Sequence, residues 1–128
     1  MTTKSLVKLS AAIEALTGVA LILTPSLVAT LLLGDGLDGS GIAIARLTGI
    51  ALLCFSLACW PGDHVNGNAV FALLSYNVLA AVYLAYLRVG GGFVGGLLFW
   101  PALAIHLLLS LLLARATSRQ GLPERAKN

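Results

Sequence analysis

Four long apolar stretches follow one another along the chain, and each contains one strongly polar residue: Glu14, Arg46, Asn77 and His106. The first stretch, Leu6 to Leu33, would as a single helix be roughly 42 Å long, well beyond the ~30 Å hydrocarbon core of a bilayer. Thr24-Pro25-Ser26 divides it, because proline cannot donate within a continuing helix but is welcome in the first turn of a new one. The pattern therefore predicts a span over 6–24 and a short Leu-rich helix over 25–33 near the membrane interface. Gly34, Asp35, Gly36 and the 38–41 segment form the turn that follows.

A second span is predicted over 41–60, ending at Trp60-Pro61-Gly62-Asp63, and a third over 67–88. Gly90, Gly91 and Gly92 separate the third from a fourth over 94–115, after which 116–128 is a polar tail outside the membrane. The expected fold is all-α: one domain over 1–128, an integral membrane four-helix bundle with a short interfacial helix after the first span.

Composition supports the membrane reading. Of 128 residues 59% are hydrophobic and 10% charged, where a soluble domain carries roughly 25% charged residues. A soluble chain this small has too little interior to hide that surface, so the lipid bilayer is its first expected partner. The formal charge of +3 does not form a nucleic-acid-binding stripe, because the basic residues gather at the two ends. Lys4 and Lys8 precede the first span, and Arg115, Arg119, Arg125 and Lys127 follow the fourth, while the connecting loops offer only Arg88 and the first of them carries Asp35 and Asp38. Lys and Arg are retained on the cytoplasmic side, which predicts a multi-pass protein of a bacterial-type inner membrane with both termini cytoplasmic. Lys4 and Lys8 also imitate a secretory leader, but Glu14 interrupts the apolar run and no small-x-small cleavage site follows.

Any chemistry must sit with the polar residues inside the spans. Glu14, Asn77 and His106 lie near the midplane, and an isolated charge there costs about 3 kcal/mol even on a lenient insertion scale. Arg46, on the neighbouring span, has a side chain long enough to reach down, so a Glu14–Arg46 ion pair is expected. Ser10, Ala11, Glu14, Thr17 and Gly18 fall on one helical stripe. Gly41, Ala45 and Gly49 form a row of small residues that lets helices approach closely. Leu73, Asn77, Ala80 and Ala81, and Ala102, His106 and Ser110, make the corresponding faces of the last two spans. Tyr76, Ser110 and Trp100 are secondary candidates for a binding site.

Other signals carry less. Cys54 and Cys59 are about 140° apart on a helix, unsuited to a disulfide or a shared metal. Gly90, Gly92 and Gly95 match G-x-G-x-x-G, but no strand precedes them and no acid follows at the required distance. His106 has no second intramembrane histidine with which to hold a haem, and no oxyanion donor accompanies Ser110 and His106. No cofactor, metal or catalytic residue is assigned. The residues leave three functions open: an accessory or structural membrane protein that self-associates as a homodimer or joins a larger complex; a proton-linked small-molecule transporter or ligand-binding membrane protein; and a membrane enzyme acting on an apolar substrate. The first is the expectation from sequence.

In length, four-span layout and the Gly-Ile-Ala-Ile-Ala-Arg-Leu-Thr-Gly segment at 41–49, the whole chain resembles the small bacterial inner-membrane proteins grouped as DoxX-like. That resemblance implies the four-span fold and carries no activity to any residue. Ala-Ala-Ile-Glu-Ala at 11–15 resembles the first helix of the small multidrug-resistance transporters, whose remaining spans this chain does not follow.

Overall fold

The computed structural model describes residues 1–91 and 94–120, with backbone alone at 119 and 120. The described residues form five helices and no strand: α1 (Thr3–Leu23), α2 (Pro25–Leu33), α3 (Gly39–Ala58), α4 (Gly67–Val89) and α5 (Phe99–Gln120). All but α2 are long and apolar enough to cross a membrane.

Local chemistry sets each boundary. Thr2 caps α1 by accepting from the Ser5 N–H at 3.2 Å, and Asn66 caps α4 through the Asn68 N–H at 2.9 Å. Asp38 caps α3, accepting from the Gly41 N–H at 2.8 Å and from the Ser40 hydroxyl at 3.2 Å. These two donors hold its carboxyl below the ordinary carboxylate range, as hydrogen bonds to the charged form do. Pro25 opens α2, and Gly34, at φ 90°, closes it in the left-handed conformation that glycine adopts without strain.

The first three spans and the short helix lie close to their expected ranges. The fourth starts and ends about one turn later than the 94–115 expected. Gly95, at φ 79°, and Gly96 hold the chain in a turn that runs to Leu98, and Pro101 sits in the first turn of α5, where a missing N–H is harmless. The expected tail shortens accordingly, and its 121–128 part lies outside the described residues.

Within the bundle α1 packs along α3 and α4 along α5, while α1 also touches both α4 and α5. The α1–α3 contact is closest at Gly18 and Gly49, where each backbone fills the place a Cβ of the other would need. Toward the end of the bundle that carries the N-terminus and the 60–66 loop, the spans close on a packed core of Leu6, Val7, Cys59, Val70, Leu73, Leu109 and Leu113. Lys4 Nζ donates to the Asp63 carbonyl there at 3.3 Å. Toward the other end α2 packs onto the bundle, touching α1, α3 and α5.

The α4–α5 connection fastens α2 in place. Gly96 N–H donates to the Leu32 carbonyl at 3.0 Å and Leu98 N–H to the Leu31 carbonyl at 2.7 Å. These are carbonyls that a helix C-terminus otherwise leaves without partners. The backbones are so close that a Cβ on Gly96 would collide with the carbonyl oxygens of Leu31 and Thr30.

Candidate functional site

Between the packed end and α2 lies a cavity of about 910 Å³. Its walls come from all five helices: the Thr17–Leu21 flank of α1 with Thr24 after it, the inner face of α2, Thr48 to Phe55 of α3, Tyr76 to Leu87 of α4, and Ala102 to His106 of α5 with Leu98 before it. Pockets that hold a small-molecule ligand run about 300–1,000 Å³, so this one is large for so small a chain. Several lining residues, among them Leu16, Leu27, Thr48, Ala51 and Tyr83, are also exposed on helix flanks. The cavity therefore communicates with the outside at the depth of the lipid tails.

Its floor is polar. Glu14, only 1% exposed, and Asn77, fully buried, lie at mid-span on α1 and α4, with His106 beside them on α5. Asn77 Nδ2 donates to Ser10 Oγ at 3.1 Å and to the Leu73 carbonyl at 2.8 Å. The Leu73 carbonyl can only accept, so the amide orientation is fixed and Asn77 Oδ1 is an acceptor. His106 Nδ1, 2.9 Å away, must then carry the proton, and in the neutral ring Nε2 is left with a free lone pair. Ser110 takes no part in this relay: its hydroxyl donates to the His106 carbonyl at 2.7 Å.

Tyr76 links the floor to the wall. Its ring packs against Phe55 at 5.6 Å between centroids and edge-on to His106 at 5.8 Å. Its hydroxyl faces the Glu14 carboxyl. Glu14 Oε1 is nonetheless a buried acceptor with no hydrogen-bond partner among the described residues. Leaving such a group unpaired costs on the order of 1–3 kcal/mol, more if it is charged, which makes the atom an open valence of the fold.

Five candidates read from sequence thus converge, Glu14, Tyr76 and His106 on the cavity floor and Asn77 and Ser110 just behind it. Two do not. Trp100 is 59% exposed, lies outside the cavity and packs edge-on to Phe99 at 5.8 Å. Arg46 is exposed on α3, and the expected ion pair with Glu14 is not formed. Helical geometry gives the reason. Thr48, Ala51, Leu52 and Phe55 face the cavity on one side of Gly49, and Arg46 lies about half a turn away on the other flank. Since Gly18 and Gly49 meet at one level, Glu14 below the first and Arg46 above the second are also separated by roughly 10 Å along the bundle.

The sequence did not single out Ser56, which is buried and donates to the Leu52 carbonyl at 2.6 Å, nor Thr48 and Phe55 on the α3 wall. Their signal is the 3/4 spacing from Thr48 through Leu52 to Phe55, which marks a second inward stripe beside the small-residue row. Among the described residues no three His, Cys, Asp or Glu side chains gather where they could hold a metal ion. The chain matches no protein-family model, no curated protein and no solved structure.

Proposed function

We propose that this is a ligand-binding membrane protein that admits a small amphipathic molecule from the bilayer into the cavity beneath α2, apolar part along the walls and polar head on the floor. The observation that carries this reading is the cavity itself, ending on Glu14, whose Oε1 has no hydrogen-bond partner among the described residues. A purely architectural polar core would satisfy its own groups, as Ser10 and Asn77 do; the Oε1 of Glu14 is left without a partner among the described residues. The packed half of the bundle supports the accessory reading as a second role, a rigid base on which the binding half is built. The Lys and Arg distribution supports a bacterial-type plasma membrane with cytoplasmic termini, so that α2 covers the cavity from the outer side. The DoxX-like resemblance belongs to the same reading and adds no substrate to it.

The test is saturable binding of the apolar fluorophore N-phenyl-1-naphthylamine to the protein in lipid nanodiscs, measured against empty nanodiscs. Filling the cavity with Ala80→Phe and Ala102→Phe, both on its wall, is expected to abolish the saturable component. Equal binding by the filled variant, or none by the wild type, overturns the proposal.

A further inference from the structure

Given a ligand-binding cavity, on which this inference rests, we infer that its floor selects a hydrogen-bond-donating head, a primary ammonium before any other, on a single apolar tail. The hydrogen-bond inventory of the cavity carries this. Every threonine that lines it has committed its hydroxyl proton to its own helix: Thr17 to the Ile13 carbonyl at 2.9 Å, Thr24 to Ala20 at 3.1 Å and Thr48 to Ile44 at 2.9 Å. The Tyr76 hydroxyl faces Glu14. No lysine or arginine is among the described lining residues. An anionic head therefore meets no free donor and no countercharge.

Acceptors, by contrast, are in surplus. Glu14 lines the cavity, and its buried Oε1 has no hydrogen-bond partner among the described residues. The Asn77 relay turns the protonated Nδ1 of His106 into the protein, so the nitrogen left for the cavity is the lone pair of Nε2. Two acceptors on adjacent helices, one of them acidic, are the complement of an N–H-bearing cation. Such a head supplies several charge-assisted hydrogen bonds, which are shorter and roughly twice as strong as neutral ones. A quaternary ammonium brings the charge without the donors, and an alcohol brings one donor without the charge. The apolar walls above the floor, rising from Glu14 to Thr24 over ~15 Å, match an unbranched chain lying along the bundle axis.

The experiment is competition against bound N-phenyl-1-naphthylamine in zwitterionic nanodiscs at neutral pH, with decylamine, decanol, decyltrimethylammonium and decanoate as probes and empty nanodiscs correcting for partition. Decylamine is expected to displace the dye at about tenfold lower concentration than decyltrimethylammonium, with decanoate the weakest. Glu14→Gln should bring decylamine within about threefold of decanol, and Arg46→Gln, remote from the cavity, should leave the ranking as it is. Should Glu14→Gln fail to fold, the wild-type ranking alone decides. Decyltrimethylammonium equal to decylamine, or decanoate within about threefold of it, overturns the head-group assignment while leaving the cavity reading intact. Absence of saturable dye binding overturns the cavity reading itself, and this inference with it.

Discussion

Gly18 and Gly49 stand back to back where α1 crosses α3. A Cβ on Gly18 would lie 2.8 Å from the Gly49 carbonyl oxygen, and one on Gly49 would lie 2.6 Å from the Gly18 carbonyl oxygen. On both sides the nearest atom is a backbone carbonyl oxygen, which cannot rotate aside as a side chain can. Close approach of this kind is how helices associate in lipid, where the hydrophobic effect no longer drives them together and packing must.

The crossing should thus be intolerant of a single methyl group. Gly49→Ala is expected to cost about 1–3 kcal/mol, the usual range for overpacking, read as a lower midpoint of thermal unfolding in detergent. Gly67→Ala, where a Cβ meets nothing within 4 Å, serves as the neutral control. A Gly49→Ala protein as stable as wild type would show that the two helices do not meet here.

The spans, the break at Pro25 and the membrane setting were legible because each rests on local chemistry: apolar length, a missing N–H, a small-residue row. The convergence of Glu14, Asn77 and His106 was legible too, since polar residues at mid-span have few places to go but inward. The Glu14–Arg46 pair was not, because it required knowing where along α3 the α1 crossing falls, and the small-residue row of Gly41, Ala45 and Gly49 offers several registers. The cavity was equally hidden. It exists because α2 folds back under the α4–α5 turn, through hydrogen bonds from Gly96 and Leu98 to Leu32 and Leu31 that no periodicity announces.

The absence of a Glu14–Arg46 contact makes a quantitative claim. Glu14→Gln and Arg46→Gln should be additive within about 0.3–0.5 kcal/mol in a double-mutant cycle, and neither alone should show the ~3–5 kcal/mol loss of a broken buried pair. Glu14→Gln is expected to leave the unliganded protein at least as stable, since it removes a buried acidic group one of whose oxygens has no partner among the described residues. A coupling energy above about 1 kcal/mol would restore the ion pair.

The relay through Asn77 can be read directly. Nitrogen-15 NMR of His106 should find the proton on Nδ1 in the wild type, as the acceptor Asn77 Oδ1 at 2.9 Å demands. Asn77→Leu leaves His106 Nδ1 and Ser10 Oγ unpaired, and should cost on the order of 1–3 kcal/mol while releasing the ring to both tautomers. A wild-type ring protonated on Nε2 would remove the second acceptor from the cavity.

Topology is testable by single cysteines in a Cys54→Ala, Cys59→Ala background. The Lys4–Asp63 contact puts the 60–66 loop at the N-terminal end of the bundle, and the Gly96–Leu32 bond puts the 95–98 turn beside α2 at the other. Asp38→Cys and Arg88→Cys should share one accessibility and Asp63→Cys and Ser118→Cys the opposite one. With cytoplasmic termini, an impermeant thiol reagent applied outside labels only the first pair. The reverse result inverts the orientation, and a mixed one contradicts the fold.

The fastening of α2 predicts a kinetic effect distinct from affinity at the floor. If α2 is the cover of the cavity, loosening it should speed the escape of a bound molecule without changing which head group the floor prefers. Gly96→Ala is the means, because its Cβ would collide with the Leu31 carbonyl oxygen and push the turn off the end of α2. Dissociation of N-phenyl-1-naphthylamine, followed by stopped-flow dilution, is expected to accelerate by about tenfold, since most affinity changes at a binding site act on the off-rate. The amine-over-quaternary preference should persist, because Glu14 and His106 lie at the far end of the cavity from Gly96. An unchanged off-rate in a variant that still folds would mean that ligand leaves sideways between the spans, past Thr48 and Tyr83, and that α2 is a wall and not a lid.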